Sequence, residues 1–337
     1  MGAVERRPLF LFAGNALIYG AFSPGSSPER QQSMSIDPIC VIVNPGSGDN
    51  VGGEERSAQI ARAMGEAGLQ ARVRLVTGGL KLPDAAREAA SAGHEIVVAA
   101  GGDGTVAAVA DALMKVEDRP QFGVLPLGTF NYFARAHNIP EEIGPAVSVI
   151  AGGHLRDVHT GVVNDRLFLN NTSIGLYPSI LESREDVYSR WGRSRIAAYW
   201  SVALALCGMH KPMHLTITVD GDTQEIRTPL LFIANSAYQL ENYNLEGADA
   251  IREGKFAIFA SKGTRRRELA AAAWALARGK ARKGQEFSLG TGRDIRIEMK
   301  RRKVQVAYDG ERSYFRPPLT VKPTESPLRM LVPKDAA

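Results

Sequence analysis

Three glycine-rich stretches carry residue types suited to holding phosphate: Asn44-Pro45-Gly46-Ser47-Gly48, Gly101-Gly102-Asp103-Gly104-Thr105 and Leu127-Gly128-Thr129. Glycine lets backbone N–H groups approach an anion closely. A helix that starts just after such a loop adds unpaired N–H groups and partial positive charge. Asp103 changes the reading, because a carboxylate repels phosphate unless a cation bridges them, and the combination points to a metal–nucleotide rather than a bare phosphate. For any one loop a plain turn, with Asp103 or Thr105 capping the helix, accounts for the residues equally well. The Walker Gly-Lys-Ser/Thr pattern and the G-x-G-x-x-G spacing are both absent. Far downstream, Asp309-Gly310-Glu311 offers two carboxylates, and a carboxylate can take the proton of an alcohol as it attacks a γ-phosphorus. Alone, Asp-Gly is also a common turn pair, and a solvated turn after a strand at Val304 to Ala307 explains it.

The elements that must position these loops follow from periodicity. Continuous or near-continuous apolar runs at Ile39 to Val43, Glu95 to Ala100 and Phe122 to Pro126 read as strands, and so does Arg72 to Val76. Between them, Ile60, Ala61, Met64 and Ala67 share one helical stripe, Pro83 opens a helix through Ala92, and Val106, Val109, Ala110, Leu113 and Met114 recur at helical spacing. Strand–helix alternation implies right-handed crossovers and a parallel sheet, with all three loops on the edge formed by the strand carboxyl ends.

Past about residue 150 the pattern becomes β-rich. Strands are expected at Leu167 to Asn170, His214 to Val219, Gln224 to Arg227, Leu230 to Ala234, Lys255 to Phe259, Asp294 to Met299, Val304 to Ala307 and Leu319 to Lys322, interrupted by helices at Tyr188 to Met209 and Arg265 to Arg278. The fold class is therefore two-domain α/β plus β: a parallel-sheet nucleotide-binding domain over 38–150 and a mostly antiparallel β-sandwich over 151–318. Segment 319–332 is a candidate to complete the edge of the first sheet. Residues 1–37 read as a disordered extension rather than a signal peptide, and Met34 as an alternative start.

Composition narrows the partners. The 337 residues are 44% hydrophobic with a formal charge of +5, an ordinary globular balance that favours anionic ligands. Cys40 and Cys207 are far apart, and Cys40 lies inside an apolar run, which fits a reduced thiol and a cytoplasmic protein. No segment reaches the roughly 20 apolar residues of a spanning helix. Basic clusters at Thr264 to Arg267, Arg278 to Lys283, Ser189 to Arg195 and Arg301 to Lys303 suit the anionic surface of a membrane, although each also reads as a solvated helix end or loop. Basic and aromatic residues do not interleave, which argues against nucleic acid, and the six histidines lack ligand spacing, which argues against zinc.

Taken in order, the three glycine loops, Asn131, Asp157 ahead of Val163-Asn164-Asp165-Arg166-Leu167-Phe168-Leu169-Asn170, and Asp309-Gly310-Glu311 resemble the diacylglycerol kinase catalytic-domain family, whose wider superfamily includes bacterial lipid kinases and sphingosine kinases and, distantly, NAD kinases. The resemblance implies an ATP site built from Asn44, Pro45, Gly46, Ser47, Gly48, Thr77, Gly101, Gly102, Asp103, Gly104, Thr105 and Thr129. It implies Glu311 as general base toward a lipid hydroxyl, Asp309 orienting it, Asp103 and Asp157 serving Mg²⁺ bound with ATP, and diacylglycerol as acceptor. Departures are Ala107 and Ala108 where polar residues are usual, Tyr132 in place of a carboxylate, Asp49 where a basic residue is common, and Arg252-Glu253-Gly254 in place of D-D-G, which leaves Glu253 alone as a candidate structural metal ligand. The expectation is a cytoplasmic, peripherally membrane-associated ATP-dependent lipid kinase, with a homodimer left open. An NAD kinase-like enzyme and a nucleotide- or lipid-binding protein without turnover are the alternatives.

Overall fold

Every residue of strand β1 (Ile39–Val43) is buried, as a continuous apolar run requires when helices cover both faces of its sheet. The computed structural model describes residues 37–46, 52–77, 80–175, 212–263 and 287–335. After β1 the chain alternates through α1 (Gly53–Glu66), β2 (Ala71–Leu75), α2 (Leu82–Ser91), β3 (Ile96–Gly101), α3 (Asp103–Leu113) and β4 (Gln121–Pro126), then α4 (Tyr132–Ala136), α5 (Ile143–Gly152) and β5 (His154–Val158). α1 packs beside α5, and α2 beside α3, so the two pairs clothe opposite faces.

The remaining strands are β6 (Gly161–Val163), β7 (Arg166–Phe168), β8 (Asn171–Gly175), β9 (Met213–Val219), β10 (Asp222–Thr228), β11 (Leu230–Ala234), β12 (Phe256–Ser261), β13 (Phe287–Gly292), β14 (Ile295–Glu298), β15 (Val304–Tyr308), β16 (Glu311–Phe315) and β17 (Leu319–Pro323). Two short helices, α6 (Ala237–Asn242) and α7 (Ala248–Arg252), sit between β11 and β12. Two antiparallel sheets result, ordered β10-β9-β14-β17-β6-β7 and β13-β12-β11-β8-β15-β16. Alternating inward residues such as Leu215, Ile217, Ile295, Ile297, Ile233 and Val306 fill the layer between them.

The chain then returns to the first domain. β18 (Leu328–Val332) inserts parallel to β4 and antiparallel to β5, so the first sheet runs β2-β1-β3-β4-β18-β5. Segment 319–332 is thus divided: β17 belongs to the sandwich, and only β18 joins the α/β sheet, which also takes in β5. Among the described residues no helix is long and apolar enough to cross a membrane. The helices expected over 188–209 and 265–278, and the basic clusters at 189–195, 264–267 and 278–283, lie outside the described residues.

Candidate active site

Sheet order places the crevice. From β1 the chain crosses to β2 on one side, while β3 leads to β4 on the other, so the loops after β1 and β3 diverge and leave an opening at their carboxyl ends. Asn44 closes the floor of that opening. Its backbone N–H donates to Ala100 O at 3.1 Å, its Nδ2 donates to Thr105 Oγ1 at 2.8 Å, and its Oδ1 accepts from Gly46 N at 3.0 Å. One side chain therefore shapes the first loop and ties it to the first turn of α3. Pro45 and Gly46 stand exposed beside it, and Thr77 is exposed just beyond β2. Ser47 and Gly48 lie outside the described residues.

The second and third loops touch backbone to backbone. A Cβ on Gly101 would collide with the Thr105 side chain at 2.5 Å, and one on Gly128 would lie 2.5 Å from Gly102 Cα. Leu127 N donates to Gly101 O at 2.9 Å across the same seam. Asn131, in the left-handed region at φ 50°, accepts from Gly128 N and donates to Gly128 O, both at 2.9 Å, and donates again to Glu141 Oε1 at 3.0 Å. Thr129 is exposed at the lip of this loop.

Asp103 has a structural duty that its sequence position does not announce. Its two oxygens accept the backbone N–H groups of Tyr132 at 3.2 Å and Phe133 at 3.0 Å, at the start of α4. The carboxylate thus pins the third loop to the second. Burial raises its pKa, and the N–H donors only partly offset that. The N-cap of α3 is Gly102, which has no side chain to cap the helix, and the first intrahelical bond runs from Val106 N to Gly102 O at 3.0 Å. Tyr132, where the family pattern has a carboxylate, places its hydroxyl 2.7 Å from that of Tyr243, just past α6.

Asp309-Gly310 is a two-residue hairpin turn between β15 and β16, with both residues at positive φ (45° and 87°), the geometry for which Asp-Gly is suited. It is not a solvated turn. Asp309 is 7% exposed and accepts three backbone N–H groups, from Leu169 at 2.5 Å, Asn170 at 2.8 Å and Asn171 at 3.1 Å. Burial nevertheless pushes its pKa up to about 6 against those three donors, with the nearby Asp103 carboxylate adding to the rise. Glu311 follows, exposed at the start of β16. Its Oε1 lies 3.4 Å from where a Cβ on Gly104 would stand, directly across the first turn of α3. The second-domain carboxylate and the glycine loop of the first domain therefore face each other.

Asp157, expected at the cleft, is not brought to this place, and Glu253, the candidate structural metal ligand, stands apart from it. Asp157 lies on β5 opposite Arg329 of β18, and β18 is in register with the start of β4 (Met330 with Phe122), so Asp157 sits at the sheet edge opposite the glycine loops. Glu253 caps the end of α7, where its Oε2 pairs with Lys255 Nζ at 2.9 Å and its carbonyl accepts from Arg293 at 2.8 Å. Among the described residues no second acidic ligand joins it, and Arg252 is spent on Asp249 and Glu241. The supports that sequence reasoning missed are Tyr243 and the trio Asn171, Asn235 and Gln239. In that trio Asn235 Nδ2 donates to Leu169 O at 3.0 Å and Asn171 Nδ2 to Gln239 Oε1 at 3.1 Å, holding the strand that grips Asp309.

The residues present fit a nucleotide phosphate. Gly101 and Gly128 leave no room for a side chain, Gly46 and Gly104 present bare backbone, and the start of α3 lacks a side-chain cap. For a divalent cation the fit is narrower. Among the described residues no three His, Cys, Asp or Glu side chains converge to form a metal cage.

Comparison with known proteins agrees with this architecture. Residues 38–163 match the diacylglycerol kinase catalytic domain and residues 183–332 the YegS C-terminal NAD kinase beta sandwich-like domain. The chain is 29% identical over 276 residues to a diacylglycerol kinase of Bacillus subtilis (strain 168), an alignment spanning 80% of this chain and 88% of that protein. It is 34% identical over 157 residues to a diacylglycerol kinase of Staphylococcus aureus (strain JH9), spanning 45% of this chain and 49% of that one. A crystal structure of a diacylglycerol kinase from Bacillus anthracis str. Sterne shares the fold, with TM-score 0.68 and 22% identity over 89% of this chain and 98% of that chain. Fold and loops together define a two-domain kinase architecture, an α/β domain joined to a β-sandwich. The chain belongs to the diacylglycerol kinase catalytic-domain family.

Proposed function

We propose that this protein is an ATP-dependent lipid kinase that transfers the γ-phosphoryl group to a lipid hydroxyl, with diacylglycerol as acceptor and phosphatidic acid as product. The observation that carries the reading is the position of Glu311, whose carboxylate stands across the first turn of α3 from Gly104. A weak alcohol nucleophile needs a proton acceptor beside the phosphoryl group, and the arrangement supplies one.

In the proposed step the acceptor oxygen attacks the γ-phosphorus, its proton passes to Glu311, and the bond to the β-phosphate oxygen breaks to release ADP. Asn44, Pro45, Gly46, Ser47, Gly48, Thr77, Gly101 to Thr105 and Thr129 line the nucleotide. Asp309 acts through Glu311, holding the turn from which it projects. Mg²⁺ bound with the ATP phosphates would supply charge neutralisation, and Asp103 and Glu311 are the carboxylates that would hold it. Peripheral attachment to an anionic cytoplasmic membrane surface is supported by the consecutive exposed cations Arg301, Arg302 and Lys303, each worth about 1 kcal/mol near such a surface.

One observation favours a second reading, a nucleotide-binding protein without turnover. Asp103 spends both oxygens on α4, and Tyr132 stands where the family pattern has a carboxylate. A single experiment separates the readings: γ-labelled ATP, Mg²⁺ and a panel of lipid alcohols in mixed micelles, with NAD as a further acceptor. Labelled lipid is expected. Labelled NAD alone would transfer the assignment to the NAD kinases, and nucleotide binding with no labelled acceptor would support the binding protein.

A further inference from the structure

A second cleft lies at the pole of the α/β domain away from the glycine loops. It encloses about 470 Å³, within the range of small-molecule sites, and is lined by the end of α3, the approach to β4, and strands β5 and β18. Its wall includes Leu113 and Met114, whereas Asp103 opens the same helix, and 11 helical residues span about 16 Å. The cleft is therefore separate from the candidate active site.

Its chemistry is two-sided. Met114, Pro327 and Leu155 supply apolar surface, and Leu155, on the edge strand β5, is 41% exposed. Arg119 and Arg329 supply positive charge. Arg119 is held in place, its Nε donating to Val116 O at 3.3 Å and its Nη1 to Met114 Sδ at 3.8 Å, which fixes the guanidinium over the thioether at the cleft wall. Arg329 stands directly opposite Asp157 across the β5–β18 ladder, yet among the described residues neither side chain has an ion-pair or hydrogen-bond partner. An arginine fork left open beside apolar surface, next to a second pinned arginine, is a receptor for an anion attached to an apolar body.

We propose that this cleft binds an anionic amphiphile, whose apolar body lies on Met114, Pro327 and Leu155 and whose phosphate or carboxylate is held by Arg119 and Arg329. The two arginines outweigh the one carboxylate, Asp157, which accepts a hydrogen bond from a protonated or hydroxyl-bearing head group. A lipid phosphate monoester, the product class of the reaction proposed above, falls within this class. That link rests on the kinase reading; the binding site does not.

The test uses the full chain and dodecyl phosphate below its micelle concentration, titrated calorimetrically, with inorganic phosphate and dodecyl maltoside as the anion-only and tail-only probes. Saturable binding of dodecyl phosphate is expected, with both single-feature probes at least about ten-fold weaker. Arg329→Glu and Leu155→Asp, both at exposed positions, should each weaken it by about ten-fold or more while ATP binding is unchanged. Arg119→Gln provides a third variant if either fails to fold. Bound dodecyl phosphate should slow amide exchange in β5 and in residues 114–120 and leave Gly101 to Thr105 unaffected. Absence of saturable binding, equal affinity for the maltoside, unchanged affinity in folded variants, or displacement by ATP would each overturn the proposal.

Discussion

Gly128 and Gly102 meet backbone to backbone: a Cβ built on Gly128 would stand 2.5 Å from the Cα of Gly102 and 2.8 Å from Asn131 Oδ1. The nearer atom is backbone, and the Asn131 amide is held by its own bonds to Gly128 and Glu141. Gly128→Ala should therefore force the second and third loops apart. The expected cost is about 1–3 kcal/mol of stability, read as a lowered midpoint of thermal unfolding, with nucleotide affinity reduced by about ten-fold or more. Gly104→Ala offers the contrast, since its Cβ would meet only Glu311 Oε1 at 3.4 Å. It should leave stability near the parent and depress turnover, and a variant as active as the parent would show that the space between α3 and Glu311 is not where chemistry occurs.

Glu311→Gln keeps the shape of the side chain and removes its basicity. If Glu311 is the proton acceptor, turnover falls by about 10²- to 10⁴-fold while calorimetric ATP affinity stays within error. Unchanged turnover would remove Glu311 from the base role.

Asp309 differs from its neighbour because its work is done inside the protein. Three backbone N–H groups from Leu169, Asn170 and Asn171 converge on its two oxygens. Asparagine supplies one oxygen and one amide, so Asp309→Asn leaves at least one buried donor facing another donor, at about 1–3 kcal/mol. Both stability and turnover should fall, with ATP affinity largely retained, since the turn that carries Glu311 is loosened and the glycine loops are not. Equal stability in denaturant titration would contradict the three-donor arrangement.

How far the sequence reveals this arrangement depends on the range of the cause. β1, β3 and β4 are legible because a two-sided buried strand needs a continuous apolar run, and their observed limits match the expected ones within a residue. β8, Asn-Thr-Ser-Ile-Gly, is not legible: its polar residues are buried because partners distant in sequence, β11 and β15, flank it. β5 carries largely exposed polar residues and exists because β18 returns from the far end of the chain to pair with it. The glycine loops were visible as local chemistry. The burial of Asp309, the anchoring of α4 by Asp103 and the contact of Tyr132 with Tyr243 depend on partners 29 to 140 positions away, and local patterns carry no trace of them. The misplacement of Asp157 has the same origin, since only the β18 return shows which sheet edge it occupies.

Asp103→Ala removes the acceptor for two backbone N–H groups at the start of α4 and should cost about 1–3 kcal/mol in addition to weakening Mg–ATP binding. Asp103→Asn separates the two roles. It keeps one acceptor oxygen but loses the charge, so it should recover part of the stability and little of the Mg²⁺ dependence of nucleotide binding. Full Mg–ATP affinity in both variants would end the assignment of this loop to phosphate.

The two strongly shifted groups near the site act in opposite directions with pH. His137, at the end of α4, is held neutral by burial and then by the Arg156 charge, with its pKa lowered to about 4. In the unfolded chain it takes a proton below about 6.5, so its contribution is present above that pH and is lost as pH falls toward 4, by about 3 kcal/mol. Asp309 has a folded pKa raised to about 6. It stays protonated in the fold while the unfolded carboxyl ionises near 4, so its contribution is present at low pH and is lost as pH rises through 6, by a similar amount of about 3 kcal/mol. Between about pH 4 and 6 the two slopes therefore oppose each other. Each replacement should expose the other slope: His137→Phe should lose stability as pH rises across that window, and Asp309→Asn should gain it. Denaturant titrations at pH 4, 5 and 6 read the sign directly. Parallel curves for parent and both variants would show that neither group carries the pH dependence of this domain junction.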